Sequence, residues 1–378
     1  MCPCCKAPAS DIPLYHRKGI PMLNNVVYPS SKQALFCKSG KVQLIQCPEC
    51  GLVFNAAYDE KTISYDETYD NDRSNSLSYL EYLDFLCEQC TPWLNRHCSV
   101  LEIGCGNGDF LKKLSDRTGC RAFGYDSTYV GSECYRNRVF FKRKYYKAEK
   151  NSEIYDMLIL RHVLEHISRP HDLMLELCDS SALKIGARLL LEVPNFEWII
   201  NKNAFYDITY EHCNYFSKEA LFRLSAGAGF KVERITDTFN GQYLLLFANY
   251  AGKKEKFKHV QCLKDADKLA KGFNAAKKTL IDSISAADKV CVWGASGKGV
   301  VFLSDLSEDV LEKVTYVVDI NPSKQGKFLP ISGKKVDHPA VLKRTNEEVL
   351  VIIMNEVYER EIRSELSKMN IKASVMTA

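Results

Sequence analysis

Three glycines within five positions, straight after an apolar run and straight before an apolar-periodic one, constrain this chain more than any other feature. The stretch is "VLEIGCGNGDFL", Val100 to Leu111. Glycine reaches positive φ and carries no Cβ, so a ligand can lie against the backbone of such a loop. A strand, a glycine turn and a helix start form a nucleotide-type site at the carboxyl end of a sheet. Glu102 stands just before the loop, where it would repel a pyrophosphate but suits a cationic amino-acid group. The next strand-like run, "RAFGYD", ends on Asp126, an acid placed to accept hydrogen bonds from both hydroxyls of a ribose. Glu102, Gly104, Gly106, Gly108, Asp126 and "DMLILRHVLEH", in that order, favour a bound nucleoside over a purely structural turn.

Strands and helices alternate from Val100 to about Tyr250. The strand-like runs are "SVLEIGC", "RAFGYD", "YDMLIL", "ARLLLEV", "FKVERITDTF" and "YLLLFANY". Helical stretches between them include Asp109–Ser115, His171–Leu183 and Lys218–Ala226. The alternation implies an α/β fold with a parallel, doubly wound sheet. Residues 76–98 show helical spacing of Leu77, Leu80, Leu83, Phe85 and Leu86. Leu263, Ala266, Leu269, Phe273, Ala276 and Leu280 repeat that spacing in a charged segment. A second β/α series follows: "DKVCVWGASGKG", a helix from Val300, "VTYVVDINP" and "EVLVIIM". The expected organisation is a zinc-binding module at 1–56, a connector with helices at 57–98 and a nucleoside-binding domain at 99–250. A helical bridge at 251–288 and a carboxy-terminal Rossmann-like domain at 289–378 complete it.

The amino terminus carries Cys2-x-x-Cys5 and, later, Cys47-x-x-Cys50. Each Cys-x-x-Cys turn aims two thiolates at one ion, and two turns complete a tetrahedral zinc site with no open position. Cys4 and Cys37 are competing ligands; Cys87 and Cys90 read as buried thiols. Sixteen cysteines with no basic-then-apolar leader fit reduced thiols and a metal better than a disulfide framework. No apolar run reaches the ~20 residues needed to cross a bilayer. The net charge of +4 is spread along the chain, and its basic clusters, Lys142-Arg143-Lys144 and Lys253-Lys254, are short. These features predict a cytoplasmic protein, a monomer or small homo-oligomer, that acts on a small molecule rather than on nucleic acid or membrane.

Two further stretches carry chemistry. "FYDITYEHCNYFS" follows "LLLEVPNF" and should lie on the rim of the nucleoside cleft. In it, His212 beside Glu211 makes a candidate base near neutral pH; a satisfied loop histidine is the plain alternative. His166, in "LEHISRP", is expected to point into the same cleft, with a capping role as its alternative. In "KVCVWGASGKG" the backbone at Gly294–Gly299, with Ser296, offers a diphosphate a helix start. Lys298 and Lys324 add positive charge there, and Asp319 ends the next strand.

"VLEIGCGNGDFL", "YD" and "DMLILRHVLEHISRP" resemble the class I S-adenosylmethionine-dependent methyltransferases. The resemblance implies that Gly104, Cys105 and Gly106 face the methionine portion of S-adenosylmethionine. It sets Asp126, with Ser127, at the ribose, and His162 and Val163 near the cofactor. The zinc knuckles, this core with "EHCNYFS" and the later "GASGKG…VDINPSKQGKFLP" together resemble the zinc-containing sugar C-methyltransferases, which act on nucleotide-linked deoxysugars. That wider resemblance implies structural zinc on Cys2, Cys5, Cys47 and Cys50, and a nucleotide-diphosphate sugar held by Tyr69, Tyr210, Gly294, Ser296, Lys298, Asp319 and Lys324. It also implies that His212, assisted by Glu211, removes a proton α to a 4-keto group while His166 hydrogen-bonds the enolate oxygen. The family's tyrosine two residues before the Glu-His pair is Thr209 here, and a second falls near Asn71. O- or N-methylation of another sugar or small metabolite, and a non-catalytic nucleotide-sensing zinc protein, stand as the alternatives.

Overall fold

The glycine loop at 104–108 closes a strand that lies beside an apolar run. Met157, Leu158, Ile159 and Leu160, on the next strand, expose nothing to solvent. A strand buried on both faces belongs in the middle of a parallel sheet covered by helices. The computed structural model describes residues 1–9, 12–147, 153–179, 182–257 and 264–378. Among them, eight strands form the central sheet in the order Phe230–Thr238, Tyr243–Tyr250, Leu183–Pro194, Tyr155–Arg161, Ser99–Ile103, Arg121–Tyr125, Val139–Lys142 and Cys134–Tyr135. The five strands from Leu183–Pro194 to Val139–Lys142 run parallel.

The sheet is mixed, which corrects the expectation of a wholly parallel one. Phe230–Thr238 and Tyr243–Tyr250 pair antiparallel with each other, and the second pairs antiparallel with Leu183–Pro194. Only a four-residue turn separates those two strands, too little chain for the crossover a parallel pair requires. Helix Asp109–Thr118 starts at Gly108 and stops at Gly119, both left-handed. Helix Leu77–Cys90 is capped by Ser76, whose Oγ accepts from the Tyr79 amide.

A second sheet holds five parallel strands in the order Val336–Asp337, Val314–Val318, Val290–Trp293, Val349–Ile353 and Ala373–Thr377. Its first helix is Gly297–Leu303, beginning three residues before the expected Val300. A third sheet is antiparallel: Tyr15–Pro21, Ser39–Gln46, Val53–Asn55 and, from far along the chain, Asn214–Tyr215. The 206–217 stretch is therefore not only a rim loop of the central sheet. Leu14, Ile20, Val42 and Leu44 of this third region share a core with Val290, Val292, Val300 and Phe302 of the second sheet. Helix Ala266–Ala286 packs into that same core through Leu269, Phe273, Leu280 and Ile284. Leu263, expected at its start, lies outside the described residues, as do residues 180 and 181 of the expected helix His171–Leu183; the helix formed there is Pro170–Asp179. No helix among the described residues is long and apolar enough to cross a membrane.

The two glycine loops are held by the same device. Asp126 Oδ2 accepts from the Gly106 amide at 2.8 Å, and Asp319 Oδ2 accepts from the Ala295 amide at 2.7 Å. In each case the acid that ends one strand fastens the loop that leaves its neighbour. A Cβ on Gly299 would sit 1.9 Å from the Gly294 carbonyl oxygen, a backbone atom that cannot swing aside. Gly299→Ala should therefore destabilise the protein by about 1–3 kcal/mol, the range for overpacking. Urea denaturation, with an unchanged m-value, measures it; a loss below ~0.5 kcal/mol would show the loop to be slack.

Candidate functional site

Two cavities adjoin at the carboxyl ends of the two parallel sheets. The larger, about 990 Å³, is lined by Glu102, Gly104, Cys105, Gly106, Asp126, Ser127, His162 and Val163. The smaller, about 270 Å³, is lined by Thr209, Glu211, His212, Gly294, Ser296, Lys298 and Asp319. Tyr69, Asn71, Arg73, His162, His166 and Asn321 line both.

The larger cavity fits a nucleoside with an amino-acid tail. Gly104 has φ +74°, and a Cβ there would meet Val163 Cγ2 at 2.3 Å. Gly106, at φ +54°, would meet nothing within 4 Å, so open space lies against its backbone. Glu102 is 1% exposed and its Oε2 is buried without a hydrogen-bond partner. Burial pushes its carboxyl up to about 8 although Arg161 opposes the rise. A cationic group arriving beside it would supply the missing partner. Asp126 spends its free oxygen on the Thr128 amide and hydroxyl, at 2.8 and 2.7 Å.

Behind the shared wall runs a buried chain of alternating charge. Arg161 Nη1 lies 3.8 Å from Glu102 Oε1, and its Nε donates to Glu192 Oε2 at 2.6 Å. Glu192 Oε1 is 3.4 Å from His162 Nε2, and His162 Nδ1 is 3.3 Å from Glu165 Oε1. Burial would raise Glu192, but Arg161, His162 and the Tyr82 hydroxyl hold it well below the usual carboxylate range. Burial would lower His162, but Glu192 and Glu165 raise it. His162 adopts φ +54°, left-handed backbone that a non-glycine residue takes only when its surroundings enforce it.

The 57–75 connector straps both cavities. Tyr65 Oη bonds His166 Nδ1 at 2.9 Å, and Tyr69 donates to Glu211 Oε2 at 2.6 Å. Asp70 takes hydrogen bonds from Asn321 and Ser323, in the loop that leaves strand Val314–Val318 of the second sheet. Arg73 donates to the Tyr243 hydroxyl at 2.8 Å and covers the Tyr79 ring, 4.4 Å from its centroid. Its Nε is buried without a partner, and no carboxylate among the described residues pairs with it. Sequence reasoning missed Arg73, Glu165 and the Arg161–Glu192 pair. The charged residues in "DNDRS" and "LEH", embedded beside apolar runs, were their only signal.

Several expectations are corrected. Glu211 does not orient His212: its carboxylate accepts from Tyr69 and from the Asn24 amide at 3.0 Å. His212 is not poised near neutral; burial, then the neighbouring His166, depress it to about 3. Tyr210 lines neither cavity. It is 2% exposed, its ring covers Gly40, and its hydroxyl accepts from the Asp59 amide at 3.1 Å. Lys324 is fully buried behind the second loop, where it donates to Ser296 Oγ. Lys298 lines the cavity but is already neutralised by Asp207 at 2.9 Å, and donates to Gln242 at 2.9 Å. Asp319 accepts from the Ala295 and Asn321 amides.

At the amino terminus, Cys2, Cys5, Cys47 and Cys50 bring their sulfurs within 4.8 Å of one another. The closest pairs are Cys2–Cys50 at 3.5 Å and Cys5–Cys47 at 3.4 Å. Four sulfurs this close match the edges of a tetrahedron with ~2.3 Å bonds. Cys4 and Cys37 are outside the cluster, and Cys87 and Cys90 are buried thiols without one.

Residues 73–235 match the family model of a methyltransferase domain, and residues 251–375 match that of a C-methyltransferase C-terminal domain. Among solved structures, an S-adenosylmethionine dependent methyltransferase from Mesorhizobium loti is 10% identical, with a TM-score of 0.35 over 44% of this chain and 99% of that one. An O-methyltransferase family protein from Burkholderia thailandensis is 13% identical, with a TM-score of 0.36 over 46% and 56%. No curated relative matches the sequence.

Glu102 generates a pH prediction. Its native carboxyl, near 8 against an ordinary 4.5, holds its proton more tightly than the unfolded chain does. That contribution is fully present below about 4.5 and is lost as pH rises towards 8. Urea denaturation at pH 5 and pH 8 should show Glu102→Gln gaining on the parent protein as pH rises, by on the order of a few kcal/mol. An equal pH dependence in both proteins would mean Glu102 is ionised throughout.

Proposed function

We propose that this methyltransferase moves a methyl group from S-adenosylmethionine to a carbon of a nucleotide-linked 4-keto deoxysugar. The observation that carries this reading is the shared wall. The cavity of the first glycine loop and the cavity of the second meet at His162, His166, Tyr69 and Arg73, with His212 beside them. In this reading residues 1–56 are a zinc-stabilised module, 57–98 the strap, and 99–250 hold the cofactor. Residues 251–288 bridge to a substrate-nucleotide domain at 289–378.

S-adenosylmethionine, when bound, supplies an electrophilic methyl on a sulfonium. Glu102 would meet its ammonium group, the backbone at Gly104, Cys105 and Gly106 its methionine portion, and Asp126 with Ser127 its ribose. Arg73 lines both cavities with its Nε unpartnered, and would meet an anionic group there. Gly294, Ser296 and Lys298 line the side that would take the nucleotide.

His212 would take the proton on the sugar carbon next to the ketone. Burial keeps it unprotonated at neutral pH, so it can accept a proton, and Glu165 is the neighbour that favours the imidazolium formed. The electron pair of the broken C–H bond then forms the enolate, whose oxygen His166 would meet through the nitrogen that Tyr65 leaves free. S-adenosylmethionine, when bound, would supply the methyl that the enolate carbon takes, and the proton held by His212 would pass to solvent. Holding carbon and methyl together supplies most of the acceleration. Cys2, Cys5, Cys47 and Cys50 would hold one zinc ion with all four positions filled by thiolates, a purely structural site.

His212→Ala should bind S-adenosylhomocysteine as the parent does, by calorimetry, yet lose hydrogen exchange at the carbon α to the ketone of a 4-keto sugar nucleotide in D₂O. The expected loss is about 10²–10⁴-fold, and retained exchange removes His212 as the base. Elemental analysis should give one zinc per chain, lost in Cys47→Ser; freshly purified protein without zinc would end the metal assignment.

A further inference from the structure

Glu165 lines the smaller cavity and is a buried carboxylate to which the mechanism assigns no contact. It is 1% exposed, and neither of its oxygens has a hydrogen-bond partner. Its nearest charge is His162, 3.3 Å away and held by Glu192 on the other side. His212 Nδ1 is likewise buried and unpartnered. A carboxylate oxygen of Glu165 and one ring nitrogen each of His166 and His212 lie within 4.8 Å of one another. Buried polar atoms left unpaired are costly, so three in one cluster call for an explanation.

We propose that Glu165, rather than the sequence neighbour Glu211, is the positioning carboxylate of His212: it receives the Nδ1 proton and keeps Nε2 bare toward the cavity. The proposal rests on the reading of His212 as the base. A neutral histidine has one donor and one acceptor nitrogen, and a base needs its acceptor aimed at the substrate. Glu211 cannot make that choice, since Tyr69 and the Asn24 amide occupy its oxygens. A ring nitrogen of His212 lies within 4.8 Å of a Glu165 oxygen, a separation that one bridging water can span.

Charge leads to the same assignment. His212 is faced by His166, whose ring stands edge-on at 4.8 Å, by His162, by Tyr215 at 6.3 Å between ring centres, and by Glu165. Burial, His166 and His162 all oppose an imidazolium there, and Glu165 alone among these groups favours one. Burial would raise Glu165 itself, but His162 and the other two histidines keep it below the usual range and so ionised. Every proton that His212 accepts during turnover thus arrives against a field that Glu165 offsets. The same three side chains could hold a divalent cation, but His162 Nδ1 already stands 3.3 Å from Glu165, and Tyr65 and the Glu211 carbonyl oxygen occupy His166 Nδ1.

Nitrogen-15 NMR of histidine-labelled, ligand-free protein tests the tautomer without any substrate, so its result is independent of whether a 4-keto sugar nucleotide is accepted. The parent protein and Glu211→Gln should show His212 as the Nδ1–H tautomer, and Glu165→Met should convert it to Nε2–H. Glu165→Gln keeps an acceptor oxygen but not the charge. It should retain the tautomer and lower kcat for exchange about 10²-fold with KM unchanged, a split that loose packing would not give. An Nε2–H tautomer in the parent protein overturns the proposal, as does a tautomer change in Glu211→Gln alone. So do an unaltered kcat in Glu165→Gln, which stands as the test should Glu165→Met fail to fold, and a second metal ion per chain bound to this cluster.

Discussion

Five ionisable side chains, acids alternating with Arg161 and His162, run in a buried line from Glu102 at the first glycine loop through Glu192 to Glu165 beside the histidines of the second cavity. An isolated charge at such depth costs several kcal/mol, and removing one partner from a buried pair is strongly destabilising. The line is therefore a single construction, each member made tolerable by the next. It ties the carboxyl ends of three adjacent strands, Ser99–Ile103, Tyr155–Arg161 and Leu183–Pro194, to one another and runs on through His162, which has left-handed backbone. Both ends of the line are left incomplete: Glu102 has an unpartnered oxygen facing the loop, and Glu165 has two facing the histidines.

The rest of the molecule brings a second cavity to the far end of that line. The connector does this by bonding to every wall at once: Tyr65 to His166, Tyr69 to Glu211, Asp70 to Asn321 and Arg73 to Tyr243. Glu361, on the carboxy-terminal side, reaches back to Ser76 and so holds the helix that follows the strap. The amino-terminal sheet wedges between the two α/β bodies. It shares one apolar core with the second sheet, while the cysteine knuckles join another core beneath the central one. Its last strand, Asn214–Tyr215, lies two residues beyond His212, so the segment that carries this histidine is anchored in the amino-terminal sheet.

Legibility followed the range of the interactions. The first glycine loop, Asp126, the flanking strands and the helix starts were plain because each depends on neighbours within a few residues. The antiparallel edge of the central sheet was less so: "FKVERITDTF" and "YLLLFANY" read as strands, but their direction depends on the short turn between them. Glu211 and His212 look like a dyad because they are adjacent. Backbone geometry turns their side chains apart, toward Tyr69 and toward His166 respectively. Lys298 and Lys324 look like anion ligands in a glycine-rich loop, and both are already committed, one to Asp207 and one to Ser296.

The sequence alone determined the chemistry available: an acid and three glycines after one strand, a second glycine loop, two pairs of cysteines, and histidines beside acids. Those patterns are local, and covalent spacing enforces them. Which acid serves which base was decided only by the tertiary structure. Glu165 and His212 are separated by more than forty positions in the chain, and only the packing of the 3₁₀ turn Leu164–His166 against the Asn214–Tyr215 strand brings them together. Burial then set their charges, since desolvation depends on everything that surrounds a group and on nothing written beside it in the sequence.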